Sequence, residues 1–242
     1  MIFTPDKKQC DFEAGQIILI DKPLKWTSFD VVNKIRYLLR NHFGYKKIKV
    51  GHCGTLDPLA TGLLIICTGK FTKRIEELQA STKEYVGTFM IGETTPSYDR
   101  ETEVDNTYPT DGITEEKVRS VLKTFEGEQE QIPPVFSAKM VDGQRAYIAA
   151  RKGKEVEMKP AKINIEKCEL ISYDFPLATV RIRCSKGTYI RAIARDFGQR
   201  LNSGAYLHDL RRTIIGEFSL NNAIDILEFE KIIKNCEPIA KN

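Results

Sequence analysis

Two hydrophobic periods divide the chain. The run "QIILIDKP" (16–23) has four consecutive apolar residues and stops at a proline, which predicts a strand entering a turn. "TSFDVVNKIRYLLR" (27–40) then places Val31, Ile35, Leu38 and Leu39 at helical spacing, with Thr27 or Ser28 as the cap. "LLIICTG" (63–69) predicts a second buried strand and "TKRIEELQA" (72–80) a helix. "KEYVGTFMIG" (83–92) alternates instead, with Tyr85, Gly87, Phe89 and Ile91 on one face. "ETTPSYDRETEV" (93–104) reads as a polar loop.

Thr114 is placed to cap "EEKVRSVLKTFEG", with Val118, Val121, Leu122 and Phe125 on one side and Gly127 as the stop. Asp142-Gly143 signals a turn before a short basic helix. "KINIEKCELISYDFPLATVRIRCSKG" (162–187) predicts two strands joined by a turn. "TYIRAIARDFGQRL" (188–201) predicts a helix buried through Ile190, Ile193, Ala194, Phe197 and Leu201. Helices and strands mix without regular alternation and without a repeat. The expected fold class is therefore α+β with a mostly antiparallel sheet.

The 242 residues suffice for one large domain or two small ones. Only the first dozen residues and the last few read as disordered. No stretch is long and apolar enough to span a membrane, and no signal peptide opens the chain. The 6 cysteines lack metal-ligand spacing, only 3 histidines could assist them, and Cys67 and Cys184 sit in apolar runs. Reduced thiols in a cytoplasmic protein follow. There is no glycine-rich phosphate loop.

Net charge is only +4, so local clusters say more than the total. Lys46, Lys47 and Lys49 form one, Arg145, Arg151, Lys152 and Lys154 a second, and Arg191, Arg195, Arg200, Arg211 and Arg212 a third. Together they favour a nucleic-acid face.

Candidate chemistry concentrates in "GHCGTLDPLATG" (51–62), where Asp57 and His52 stand among glycines directly before a buried strand. Taken alone, Asp-Pro is more often a turn. Context changes that: glycines let backbone approach a ligand, and the strand mounts the loop rigidly. An ionised nucleophile or base there needs a cation beside it, for which Arg191 is a candidate. Tyr85 could serve as an aromatic platform with a hydroxyl that moves a proton.

In this order, "LIDKPLKWTSFDVV", "GHCGTLDPLATGLL", "KEYVGTFMIG", "IPPVFSAKMVDGQRAYIAARKG", "CSKGTYIRAIARDFG" and "YLHDLRRT" resemble the TruB family of tRNA pseudouridine synthases, from about Gly15 to about Phe229. The resemblance implies isomerisation of uridine 55 in the tRNA T-loop, with no cofactor, metal or energy source. It makes Asp57 the catalytic aspartate, acting by attack on the sugar carbon or by proton abstraction, and Arg191 its partner. Tyr85 would stack on the target base, His52 would support the flipped-out RNA, and Tyr189 and Leu210 would line the base pocket. It also implies the pseudouridine synthase fold, a mixed, largely antiparallel sheet flanked by helices. Residues 128–158 would be an RNA-gripping insert whose Arg145, Arg151, Lys152 and Lys154 face phosphates. One catalytic domain over 1–242 is expected, a monomer without an obligate protein partner, whose C-terminal residues leave no room for the appended PUA-like RNA-binding domain of many relatives.

Three other functions remain open on the residues. One is a non-catalytic tRNA-folding chaperone, which would not need Asp57. A second is a glycoside hydrolase or phosphotransferase, although hydrolases usually use two carboxylates and this loop offers one. The third is the same isomerase acting on another RNA.

Overall fold

The apolar run after Gln16 forms strand β1 (Ile17–Lys22) in the computed structural model, which describes residues 2–3, 9–137, 139–141, 143–146 and 156–237. The chain divides into two units, residues 1–83 with 211–242 and residues 84–210. In the first unit, Thr27 caps helix α1 (Ser28–Phe43) through a capping box with Asp30, and Gly44 ends it in the left-handed conformation. Strand β2 (Val50–His52) and strand β3 (Ala60–Thr68) pair antiparallel, Val50 with Thr68 and His52 with Ile66. β3 also pairs antiparallel with β1, from Ile17–Cys67 to Lys22–Gly62.

Alternation explains why the central runs of β1 and β3 are apolar on both faces. Ile18, Ile20, Leu64 and Ile66 face a core closed by α1, while Ile17, Leu19, Leu63, Ile65 and Cys67 face a second core with Leu78. Both faces are covered, so no polar face is left. A 3₁₀ turn (Gly69–Arg74) then leads into helix α2 (Ile75–Ala80), so the predicted helix is split in two. The described N-terminal residues correct the reading of this segment as disordered. Phe3, Cys10 and Phe12 are buried in the α1 core, and the Phe3 amide donates to the Ile17 carbonyl at 2.8 Å.

In the second unit, strand β4 (Lys83–Ile91) buries Tyr85, Phe89 and Ile91 on one face, as its alternation predicts. β5 (Glu93–Thr94) and β6 (Asn106–Thr107) pair across the loop between them. That loop is less polar in use than in composition, because Thr95, Ser97 and Asp99 are buried. Thr114 caps helix α3 (Glu115–Lys123), which ends before Gly127; the glycine, at φ 98°, instead turns the chain into β7 (Gly127–Gln131).

β8 (Met140–Val141) and β9 (Gln144–Arg145) make a small hairpin. β7 pairs antiparallel with β10 (Ala161–Asp174), which pairs antiparallel with β11 (Leu177–Cys184). Helix α4 (Ile190–Arg200) buries the predicted stripe. Strand β12 (Ala205–Ile215) begins in this unit, in the order β12, β4, β11, β10, β7, and ends in the first, in the order β1, β3, β12. β13 (Phe218–Ser219) folds back on it, and helix α5 (Ile226–Lys234), capped by Asp225, returns Phe229 and Ile233 to the α1 core. The class is α+β with a largely antiparallel sheet, as expected.

Candidate active site

Within the first unit, the irregular part of "GHCGTLDPLATG" is shorter than it looks. His52 ends β2 and Ala60 begins β3, so residues 53–59 form a hairpin loop between paired strands. The Cys53 amide donates to the Ile65 carbonyl at 2.9 Å, the Ala60 amide to the Asp57 carbonyl at 3.0 Å, and the Leu56 side chain is buried. Asp57 is half-buried at the turn. Its charge acts on Lys22, which a sequence reading had passed over. Burial pushes the Lys22 ammonium down to about 8; Asp57 pulls it upward and Arg212 pushes it down. Alternation could have found Lys22, since Ile18, Ile20 and Lys22 share the inward face of β1.

Arg212 left no such signal. It is fully buried, with Nε donating to the Leu63 carbonyl at 2.8 Å and Nη2 to the Gly54 carbonyl at 3.1 Å. One guanidinium thus joins the loop to β3. The backbone of Arg212, not its side chain, explains Gly62, where an added Cβ would lie 2.3 Å from the Arg212 carbonyl oxygen. That glycine serves the approach of β12, not the approach of a ligand that its position in the loop suggests. His52 is half-buried. Burial first, and Arg212 second, hold its imidazole below the usual histidine range, against an opposite pull from the Gly54 backbone. Its Nδ1 is buried and has no hydrogen-bond partner among the described residues.

The second unit carries the other candidates. Tyr85 is buried on β4. Leu210 reaches the same face of that strand: a Cβ on Gly87 would lie 3.4 Å from its Cδ1. Tyr189 precedes α4 and its side chain makes no capping hydrogen bond; its amide donates to Gln131 Oε1 at 2.8 Å, while Gln131 Nε2 donates to the Tyr189 carbonyl at 3.2 Å. Arg191, which helix position alone would put at the surface, is buried. Its Nη1 donates to the Ser97 carbonyl at 3.2 Å, its Nη2 to the Phe136 carbonyl at 2.8 Å, and its Nε stands 3.5 Å from Asp99 Oδ2. Asp99 is a buried carboxylate that sequence reasoning missed in the "polar" loop.

The basic clusters resolve differently. Lys47 and Lys49 line a groove of about 260 Å³ with Lys70 and Lys73, and none of the four enters an ion pair among the described residues. The arginines of the last third are instead held within the fold. Besides Arg191 and Arg212, Arg200 donates to the Thr124 carbonyl and lies over the Phe125 ring, and Arg211 pairs with Asp21 at 2.6 Å. Arg145 is described through its backbone in β9. Arg151, Lys152 and Lys154 lie outside the described residues. The described cysteines are buried and unbridged, and no described group of three His, Cys, Asp or Glu could hold a metal ion. No described helix is long and apolar enough to cross a membrane.

Residues 40–190 match the model of the TruB family pseudouridylate synthase, N-terminal domain. The chain belongs to the TruB family. A relative from Parabacteroides distasonis named "tRNA pseudouridine synthase B" is 56% identical, over 93% of this chain and 95% of its own. One of the same name from Phocaeicola vulgatus is 57% identical over 94% and 97%, and one from Clostridium kluyveri 41% over 93% and 76%. Among solved structures, this TruB-family chain resembles a subunit in the crystal structure of a Cbf5-Nop10-Gar1 complex. The TM-score is 0.68 at 26% identity, covering 95% of this chain and 58% of that one. A chain of an H/ACA RNP bound to a substrate RNA containing 2′-deoxyuridine shares the fold, with a TM-score of 0.66 at 24% identity. This chain spans 53% of that one.

Proposed function

We propose that the protein converts uridine 55 of the tRNA T-loop to pseudouridine without a cofactor. One observation carries this: identity of 56–57%, over more than nine-tenths of both chains, to relatives named tRNA pseudouridine synthase B. The reaction breaks the N1–C1′ bond and forms a C5–C1′ bond; C5 loses a proton and N1 ends with one. Atoms balance without an oxidant or a hydrolytic water.

Asp57 is the catalyst in this reading, as nucleophile at the sugar or as base. A half-buried carboxylate on a hydrogen-bonded hairpin supports the role, because reacting groups need a fixed position more than a flexible one. Arg191 partners it, Tyr85 stacks on the extruded base, Tyr189 and Leu210 line the base pocket, and His52 supports the flipped-out strand. The half-buried imidazole of His52, held below the usual histidine range, fits stacking and hydrogen bonding to RNA better than phosphate pairing. The 128–158 segment grips RNA through Arg145, Arg151, Lys152 and Lys154, and the protein works as a cytoplasmic monomer on the T-arm. The four-lysine groove supports an anionic partner.

The test is incubation with unmodified tRNA transcript, followed by mapping of pseudouridine. Modification at the T-loop uridine is expected from the wild type. Asp57→Asn is expected to lose it while binding tRNA nearly as well, since affinity comes mainly from phosphate contacts. Turnover by Asp57→Asn overturns the catalytic assignment. No product from the wild type leaves the folding-chaperone reading standing.

A further inference from the structure

We propose that the turn between β1 and α1 is the mount of the Asp57 carboxylate, and that Ser28 is a positioning residue for isomerisation. This rests on the assignment of Asp57 above. Both neighbours of Asp57 are held by that turn. The Leu56 amide donates to Ser28 Oγ at 2.8 Å, and Ser28 Oγ donates to the Leu56 carbonyl at 3.2 Å. On the other side, the Lys25 amide donates to the Pro58 carbonyl at 2.8 Å. Ser28 is 2% exposed, so water does not compete for these bonds.

Two features separate this arrangement from ordinary turn packing. Lys25 sits at φ 67°, a left-handed conformation that L residues with a Cβ avoid, and its amide is the one aimed at Pro58. Backbone strain is held there by the surrounding contacts. Second, the Ser28 hydroxyl does not start the helix. Thr27 does that, through its side chain and the Asp30 carboxylate. A buried hydroxyl at the first helical residue is thus free to hold Leu56. Beneath the turn, Lys22 Nζ donates to the carbonyls of Pro23 at 2.9 Å and Trp26 at 2.6 Å, closing it from inside. The reactive loop is thereby referenced to a helix and a strand rather than to itself.

Displacement of a reacting group by about 1 Å costs about a hundredfold in rate. Ser28→Ala is therefore expected to lower the single-turnover rate at saturating tRNA by about ten- to a hundredfold, with the tRNA dissociation constant within about twofold of wild type. Thr27→Ala is the control for a merely structural role. It removes the helix cap, lowers the melting temperature, and is expected to keep the wild-type rate well below that temperature.

A wild-type rate in folded Ser28→Ala overturns the proposal, as does a Thr27→Ala rate loss equal to that of Ser28→Ala. Should Ser28→Ala not fold, Ser28→Cys keeps the shape but bonds weakly, and a wild-type rate there overturns the proposal equally. Asp57→Asn, assayed alongside, separates the two questions. If it remains active, the assignment of Asp57 fails; if it is dead while Ser28→Ala is unimpaired, only the mount fails.

Discussion

Replacing Arg212 by methionine tests the coupling of the Asp57 loop to the core and to the charge of His52. The side chain is buried, and its two hydrogen bonds end on Leu63 and Gly54 carbonyls. Methionine fills much of the space but donates nothing. Each carbonyl left without its donor costs about 1–3 kcal/mol. Against this, a buried guanidinium no longer has to be desolvated, which returns part of the loss. The net expectation is about 2 kcal/mol of destabilisation, or a melting temperature lower by about 4–8 °C for a chain of this size.

The charge has a separate readout. Arg212 holds the His52 imidazole down, so Arg212→Met should raise the His52 pKa toward its ordinary value, while Arg212→Lys, which keeps the charge, should leave it low. Thermal melts give the first quantity. Ring NMR titration gives the second, with His52→Gln assigning the signal among only 3 histidines. An unchanged melting temperature together with an unchanged His52 titration in Arg212→Met refutes the reasoning.

Lys22 makes stability depend on alkaline pH: its folded pKa, about 8, lies below the unfolded value, so the unfolded chain holds more protons between about 8 and about 10.5. Wild type should therefore gain stability relative to Lys22→Met as pH rises through that window, and parallel denaturant curves at each pH would refute this. Lys25→Gly should raise stability by about 1 kcal/mol, because glycine accepts φ 67° without strain; a lower midpoint in urea would show that the side chain contributes more than the strain. Neutralising Lys47 and Lys49 together should weaken tRNA binding and flatten its salt dependence by fewer released counterions; an unchanged slope would return the groove to ordinary solvated surface.

By itself the sequence determined what depends on neighbours along the chain. Helix starts at Thr27 or Ser28 and at Thr114 and the alternation of β4 follow from spacing and local hydrogen bonding, and the structure has both helices, capped by Thr27 and Thr114, and the alternation. The order of its motifs also sufficed to indicate the family. Tertiary structure decided where charge is buried, because the partners that make burial tolerable come from distant segments. Arg212 depends on Gly54 and Leu63, and Arg191 on Ser97, Asp99 and Phe136. No local period marks such residues, so a row of arginines that reads as an RNA face is in good part internal scaffolding. The same holds for Phe3 and Phe12, which lack a pattern of their own and are buried in the core shared by α1 and α5, where Phe3 packs against both Phe12 and Phe229. Gly62 is the smallest case: its position suggests a ligand, but the space its missing Cβ leaves is filled by the backbone of Arg212, a contact between residues 150 positions apart along the chain that only the folded sheet creates.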